Sequence, residues 1–377
     1  MAEPLKDFFS PALAERLARS LRPHHGRLSV AAFVQDATAD LDELELLDRA
    51  RQFARAMAAH LPAAYPDALA VILRSLGPPH ASDELEGAGM APFFYLPHTL
   101  FVAERGLDHV ALSLDAQREL TRRFTAEFSI RAFLVAAPAE TLAAMRRWAI
   151  DPDPHVRRLV SEGTRLRLPW GTRVPWLDRD PGPALELVEL LKDDPAPVVR
   201  RSVANHLNDL GRLHPARLIA IAGAWLDGAS DERRALIEHA LRGAVKRGEP
   251  AALALLGYGR APAVEVSAAR CEPARVAIGE TVAISFTLRS TARRAQDLLV
   301  DLRVHFVKAR GATSPKVFKL TRLSLPPGGE AELSKRVSLA VHTTRTPQPG
   351  THRVELLING APRPLATFEV VAARSRR

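Results

Sequence analysis

Apolar positions change their period along this chain, and the change divides it. Over residues 1–263 they recur at helical spacing. Leu13, Leu17 and Leu21 share one face, as do Leu41, Leu44 and Leu47. Proline and glycine fall between such segments, at Arg22-Pro23, Gly77-Pro78-Pro79, Pro92, Pro152 with Pro154, and Pro169, where they punctuate helices rather than kink them. After about Ala263 the period drops to two. Val282, Ile284, Phe286 and Leu288 alternate as in a half-buried strand, and Val300, Leu302, Val304 and Phe306 do the same. Further strands are expected near 264–268, 316–325, 331–341, 351–358 and 365–371. Turn signals separate them: Pro326-Pro-Gly-Gly329, Pro349-Gly350 and Asn359-Gly360, the last a strong hairpin signal. About seven short strands over roughly 110 residues suggest an immunoglobulin-like sandwich.

The helical part repeats itself. Asp151-Pro-Asp-Pro-His-Val-Arg-Arg-Leu-Val-Ser-Glu162 recurs as Asp194-Pro-Ala-Pro-Val-Val-Arg-Arg-Ser-Val-Ala-Asn205, an offset of 43, near the ~40–47 period of HEAT-type repeats. Asp153-Pro154 offers an N-cap followed by proline at the first helical position, where its missing N–H costs nothing. Val156, Leu159, Val160 and Gly163 then lie on the packing side, and Val199 and Val203 repeat part of that face. A weaker third copy starts at Ser230, with Arg233-Arg234 and then Glu238 in the slot of Glu162 and Asn205. The expected fold is multidomain: an all-α HEAT-like repeat solenoid over 1–260, then an all-β immunoglobulin-like sandwich over 264–377.

Charge sharpens this division. The formal net charge is +9. Residues 264–377 hold 19 Lys and Arg against 9 Asp and Glu, whereas 1–263 hold 33 against 34. A basic module on a near-neutral one points to a polyanion, and nucleic acid is the common one. Cys271 is the single cysteine, which excludes an intrachain disulfide and any multi-cysteine zinc or iron–sulfur site. The histidines, including His24-His25, His80, His98 and His109, show no HExxH-like spacing, so no metal and no cofactor are expected. No apolar run approaches the ~20 residues of a membrane span, and Met1 to Pro11 lacks an apolar signal segment. A soluble cytoplasmic monomer is the expectation.

Two carboxylates stand out as candidate chemistry. Glu162 lies in Arg158-x3-Glu162-x2-Arg165, and Glu127 in Arg123-x3-Glu127-x3-Arg131, each read as a stripe on one helical face. A solvated salt-bridge ladder is the bland reading. Against it, Arg ahead of Glu at i, i+4 is the less favourable order, and Glu127 sits among Phe124, Phe128 and Phe133. Flanking arginines favour ionised carboxylates, which suit stabilising a cation or orienting water rather than donating a proton. That narrows any reaction to one with a cationic transition state, such as glycosidic cleavage through an oxocarbenium ion. Trp170, bounded by Pro169 and Gly171, suits stacking on a sugar or base, or packing between repeats. Trp148 and Trp225 read as core, and Trp176 fits either role. Arg158, Arg165, Arg167, Arg200 and Arg201 are candidate phosphate contacts along one groove. Asn205, Asn208 and Asp209 read as hydrogen-bonding groups between repeats.

These residues resemble the AlkC family of bacterial DNA alkylation repair glycosylases, over nearly the whole chain. The resemblance is carried by Pro4-Leu-Lys-Asp-Phe-Phe9, Tyr95-Leu-Pro-His-Thr99, Gly106-Leu-Asp-His109 and Phe124-Thr-Ala-Glu-Phe-Ser-Ile-Arg131. It continues through Ser161-Glu-Gly-Thr-Arg-Leu-Arg-Leu-Pro-Trp-Gly171, Val203-Ala-Asn-His-Leu-Asn-Asp209, Ile237-Glu-His-Ala-Leu-Arg242 and Leu255-Leu-Gly-Tyr258. The segment from Ser161 to Gly171 is the most specific. Ala132 stands where the family pattern has proline.

The resemblance implies a HEAT-like repeat enzyme with an immunoglobulin-like C-terminal domain. It would remove cationic N-alkylated bases, chiefly 3-methyladenine and also 3-methylcytosine, from double-stranded DNA, without fully flipping the lesion. Glu127 and Glu162 would be the catalytic carboxylates and Trp170 the aromatic wall. A base already carrying positive charge leaves without a general acid, so two ionised glutamates suffice to stabilise the sugar cation and place a water. No lysine need form a Schiff base, so a monofunctional enzyme is expected, working in the bacterial cytoplasm in association with the nucleoid. The competing reading is a non-catalytic helical-repeat scaffold binding nucleic acid or peptide. A third is a nucleic-acid clamp in which only the basic sandwich matters.

Overall fold

The computed structural model describes residues 4–80, 89–341 and 346–372. A helical N-terminal region precedes a C-terminal β-sandwich. The helices are α1 (Pro11–Leu21), α2 (Val30–Ala37), α3 (Leu46–His60), α4 (Tyr65–Arg74), α5 (Leu96–Arg105), α6 (Val110–Thr121), α7 (Ile130–Ala136) and α8 (Pro138–Trp148). They continue as α9 (Pro154–Gly163), α10 (Pro175–Arg179), α11 (Gly182–Leu190), α12 (Pro197–Leu213), α13 (Pro215–Leu226), α14 (Asp231–Arg247) and α15 (Pro250–Leu255). By internal contacts the chain forms two compact units, Met1–Leu218 with Trp225–Ala240, and Ile219–Ala224 with Leu241–Arg377. Among the described residues no single helix is long and apolar enough to cross a membrane.

The two copies of the repeat become α9 and α12, packed against each other. Helix α9 starts as its sequence demands: the Asp153 carboxylate accepts from the His155 N–H at 2.8 Å, with Pro154 at the first position. Helix α12 has alanine at the N-cap and no side-chain cap; what it shares with α9 is the turn before it, where Asp194 accepts from the Ala196 N–H at 2.9 Å as Asp151 accepts from the Asp153 N–H at 2.9 Å. Val156, Leu159, Val160 and Gly163 are all buried, and so are Val199 and Val203. Each fully buried aliphatic side chain contributes about 1.5–3 kcal/mol.

The paired arginines of the two copies divide by position. Nη1 of Arg157 donates to the Asp151 and Pro152 carbonyls, and Nη1 of Arg200 to those of Asp194 and Pro195. Each thus ties its helix to the loop that precedes it. Arg118 then pairs with Asp151 at 2.6 Å and Arg157 with Asp194 at 2.6 Å, one rung per repeat. In the third copy Arg233 pairs with Asp193.

Two local expectations change. Leu41, Leu44 and Leu47 do not share a helix: a short 3-10 turn at Leu41–Glu43 ends before α3 begins at Leu46, and only Leu41 of the three is buried. Glu127 is not on a helix either; it lies in the turn between α6 and α7.

The sandwich comprises β1 (Val264–Glu272), β2 (Arg275–Ala277), β3 (Thr281–Ser290), β4 (Gln296–Val307), β5 (Thr313–Leu325), β6 (Glu330–Ser338), β7 (Gly350–Ile358) and β8 (Ala361–Val371). One sheet has the order β1-β3-β6, the other β2-β8-β7-β4-β5. All described pairings are antiparallel except β2 with β8. The alternating residues Val282, Ile284, Phe286 and Leu288 face Val300, Leu302, Val304 and Phe306 in a single core. Asn359 and Gly360, at φ 49° and 77°, form the β7–β8 hairpin turn, as the Asn-Gly signal foretells. Strand β2 lacks a signal because three residues are too few to show alternation. Cys271 is buried and free.

Candidate active site

Helix α9 and the turn before α7 meet at a cavity of about 390 Å³. Its walls are apolar (Pro92, Phe93, Phe124, Phe128, Pro169 and Trp170), and its polar groups include Glu127, Glu162, Thr125 and Arg165. The structure therefore brings together both glutamates and the tryptophan singled out in the sequence.

The turn that carries Glu127 is pinned from several sides. Ser129 Oγ donates to Gln117 Oε1 at 2.6 Å and to the Ala126 carbonyl at 3.0 Å. Thr125 Oγ1 donates to Glu127 Oε2 at 2.7 Å. The cationic partner of Glu127 is neither Arg123 nor Arg131 but Arg158 of α9, whose Nη2 lies 2.9 Å from the same Oε2. Arg123 turns to the Gly77 and Glu119 carbonyls, and Arg131 to the carbonyls of Gly163, at the end of α9, and of Arg165, just past it. The arginine–glutamate stripe expected on a helix here does not exist, because the chain leaves α6 at Thr121. Among the described residues Glu127 Oε1 accepts no hydrogen bond.

Glu162 sits on the last turn of α9, 5% exposed. Arg165 Nη1 donates to its Oε1 at 2.6 Å, Arg158 Nη2 stands 3.8 Å from that oxygen, and Ser202 of α12 donates to Oε2 at 2.5 Å. Burial alone would raise the carboxyl pKa. The two guanidinium groups and the Ser202 bond outweigh it and hold Glu162 below the usual carboxylate range. Burial lowers the Arg158 pKa in the same way, and its two carboxylate neighbours more than reverse that. Arg165 also pairs with Asp209 at 2.9 Å. The ion pairs thus run Glu127–Arg158–Glu162–Arg165–Asp209, three carboxylates to two guanidiniums.

Trp170 is 63% exposed and stands at φ 62°, a left-handed conformation seldom adopted by an aromatic residue. Trp148 and Trp225 are buried in the core. Trp176 is half-buried and donates its indole N–H to the Leu134 carbonyl at 2.8 Å.

The arginines considered as phosphate contacts differ in what they hold. Arg158 and Arg165 belong to the buried ion pairs, Arg200 ties its own loop, and Arg167 pairs with Asp178 at 2.9 Å. Arg201 is exposed. Asp209 does bond between repeats, and Asn205 meets His239 at 3.2 Å. Ser202 and Arg131 are site residues that the sequence reading did not assign. Ser202 had a signal: it fills the slot of Leu159, a polar residue in a buried position of the repeat. Phe93 had none. Among the described residues no group of three or more His, Cys, Asp or Glu is placed to hold a metal ion.

Known proteins share this arrangement of domains. A family model described as the C-terminal Ig-like domain of the uncharacterised protein YhaZ matches residues 265–372. YhaZ of Bacillus subtilis (strain 168) is 33% identical over 367 residues, 97% of this chain and 99% of YhaZ. The alkylpurine DNA glycosylase AlkC of Pseudomonas fluorescens, solved bound to DNA containing an abasic site analog, superposes with a TM-score of 0.91 at 33% identity, covering 98% of this chain and 100% of AlkC. With relatives alike over almost their full length in sequence and in fold, the chain belongs to the AlkC family.

Proposed function

We propose that the protein is a DNA glycosylase of base excision repair, with a HEAT-like helical domain, that hydrolyses the N-glycosidic bond of cationic alkylated bases such as 3-methyladenine and 3-methylcytosine. The observation that carries this is the cavity itself: two glutamates from neighbouring elements, joined through one arginine, beside an exposed indole. The likeness to AlkC supports it.

The chemistry follows from the charges. An alkylated base that is already cationic needs no general acid to depart. As the bond stretches, positive charge moves onto the deoxyribose. Glu162, held ionised by Arg158 and Arg165 and itself buried, faces that charge as a fixed anion in a mostly apolar hollow. Glu127 keeps Oε1 without a partner among the described residues, so this oxygen is the one available to orient a water. Trp170 supplies a π face for the cationic base or sugar, worth about 0.5–2 kcal/mol. No lysine is among the described residues lining the cavity, in keeping with a monofunctional enzyme without strand cleavage. The lesion's sugar would enter the cavity without full flipping of the base. Arg158, Arg165 and Arg200 shape the protein rather than grip phosphate; Arg201, exposed, and Arg167 are the remaining candidates on the repeats. The enzyme acts as a cytoplasmic monomer on duplex DNA at the bacterial nucleoid.

The test is incubation of the protein with methylated duplex DNA and chromatographic identification of what is released. Free 3-methyladenine, without a strand break before alkaline treatment, is the expected result. No released base, with DNA binding intact, would leave the non-catalytic scaffold as the reading.

A further inference from the structure

Arg131 heads the large side chains that the fold buries completely, at 1% exposure. All its hydrogen bonds among the described residues go to backbone carbonyls: Nη1 to Gly163 at 2.8 Å and to Arg165 at 2.9 Å, and Nε to Thr172. A buried cation satisfied only by neutral acceptors is an expensive choice, and an apolar side chain of similar volume would usually stabilise the fold as well or better. Burial draws the Arg131 pKa down to about 10, so it remains a cation at neutral pH. Its position needs a reason beyond packing.

The acceptors supply one. Gly163 is the last residue of α9. Its carbonyl and that of Arg165 lie at the end of the helix where carbonyls lack intrahelical partners and the dipole is negative, so a cation is favoured there. Thr172 lies at the other end of the segment that carries Trp170. One planar guanidinium, with donors set in a rigid fork, therefore closes both ends of residues 163–172.

The segment needs such a clamp. Trp170 stands at φ 62° while 63% exposed, and a strained residue of this kind persists only where its surroundings over-determine it. The buried Leu166 and Leu168 and the Arg167–Asp178 pair anchor the middle of the segment, but beside Trp170 the described support is a turn closed by the Gly171 N–H on the Leu168 carbonyl at 3.2 Å. The base of the clamp is tight: a Cβ on Gly163 would come within 2.7 Å of Ile130, the neighbour of Arg131 on α7. Arg165, whose carbonyl Arg131 holds, in turn presents its guanidinium to Glu162 at 2.6 Å.

We infer that Arg131 is a positioning residue: its guanidinium clamps residues 163–172 so that Trp170 stands as the wall of the cavity and Arg165 stays on Glu162. The catalytic consequence rests on the glycosylase reading, whereas the clamp itself does not. The full-length chain is therefore tested with two kinds of readout. The first is independent of activity. In Arg131→Gln the nanosecond component of the Trp170 anisotropy decay, isolated by difference from Trp170→Phe, is expected to grow about twofold or more. The second is kinetic. Single-turnover base release falls at least about tenfold, while affinity for abasic-site DNA changes less than about threefold. Millimolar guanidinium, but not equal sodium chloride, restores part of the rate to Arg131→Ala. An unchanged Trp170 decay overturns the clamp, and a loss of rate matched by an equal loss of affinity overturns its role in positioning. Absence of base release from the wild type would refute the glycosylase reading, with the anisotropy still deciding the clamp. Should Arg131→Gln fail to fold, Arg131→Lys decides: it keeps the charge without the fork, and unchanged Trp170 motion there overturns the proposal.

Discussion

Glu162→Gln removes one negative charge from the cavity and little else. Glu162 Oε1 accepts from Arg165, and Oε2 from Ser202. The amide oxygen of the variant can keep the first bond, and its NH2 can donate to Ser202 Oγ, since a hydroxyl also accepts. Arg165 retains Asp209 and Arg158 retains Glu127, so neither guanidinium is left without a carboxylate. The fold should therefore survive with a modest loss of stability, below the roughly 3–5 kcal/mol of a buried ion abandoned by its partner. The rate should not survive equally well. The linked carboxylates fall from three to two, matching the two guanidiniums. For a sugar cation at roughly 5 Å and an effective dielectric of about 20, one charge is worth about 3.3 kcal/mol, or roughly 300-fold in rate. Single-turnover release of 3-methyladenine, beside fluorescence anisotropy on abasic-site DNA, measures both sides. A rate within about threefold of wild type would refute the electrostatic argument, because a fixed anion facing the transition state cannot be neutralised without a kinetic cost.

Three further outcomes follow from named groups. Trp170→Gly should slow excision about 2- to 30-fold, the range of a cation–π contact; as glycine accepts φ near 62° without strain, thermal unfolding should show stability unchanged or raised by up to about 1 kcal/mol. Since Arg158 and Arg165 outweigh burial at Glu162, the single-turnover rate should show no acid limb from this carboxylate between pH 5 and 8; the stability it contributes is complete above the unfolded carboxylate pKa and is lost only as pH falls through the lower folded one, and a rate halving near pH 6 in step with Glu162 protonation would contradict this. Burial pulls the His98 pKa down to about 3, so the folded protein carries it neutral while the unfolded chain takes up a proton below about pH 6.5; the stability of His98→Leu relative to wild type should therefore be greater at pH 5 than at pH 8, and equal melting shifts at the two pH values would count against it.

Much of the fold was legible because local rules act within a few residues. Asp153-Pro154 begins α9, the recurrence at Asp194 begins α12, and Asn359-Gly360 closes the β7–β8 hairpin, each for a reason contained in the sequence. The site was legible as residue types but not as contacts. The spacing of Arg123, Glu127 and Arg131 reads as a helix face, yet the chain leaves α6 at Thr121 and sends the three side chains to unrelated partners. Which arginine serves Glu127 depends on how α9 packs beside that turn, and no local pattern encodes it. Phe93 is likewise part of the cavity only through tertiary approach. Ser202 is the instructive intermediate, since comparing the copies position by position marks it as a polar residue in the slot of the fully buried Leu159.

That comparison also explains how a repeat can host chemistry without losing its stacking. Equivalent positions on α9 and α12 serve two ends. Arg157 and Arg200 keep one role, each holding the loop before its own helix, and the rungs Arg118–Asp151 and Arg157–Asp194 pass from repeat to repeat. One residue on, the copies part company: Arg158 bridges two carboxylates, whereas Arg201 is exposed. Four residues further, Glu162 lines the cavity, whereas Asn205 meets His239. The stacking residues and the site residues therefore occupy adjacent but different helical positions, one residue or about 100° apart on the helix. Substitutions on the site face can then alter charge without breaking the rungs, whereas Arg157→Ala would strip two loop carbonyls of a donor and the buried Asp194 carboxylate of its cation at once. The expected signature is a split between the neighbours: Arg157→Ala lowers the melting temperature by several degrees, a loss of about 3 kcal/mol or more, with little effect on the rate per folded molecule, whereas Arg158→Ala, which leaves Glu162 paired to Arg165 but takes from Glu127 its cation at the cavity, costs less stability, because Glu127 lines the cavity, and also cuts the rate of base release. Equal thermal losses for the two would mean that α9 does not separate the roles in this way.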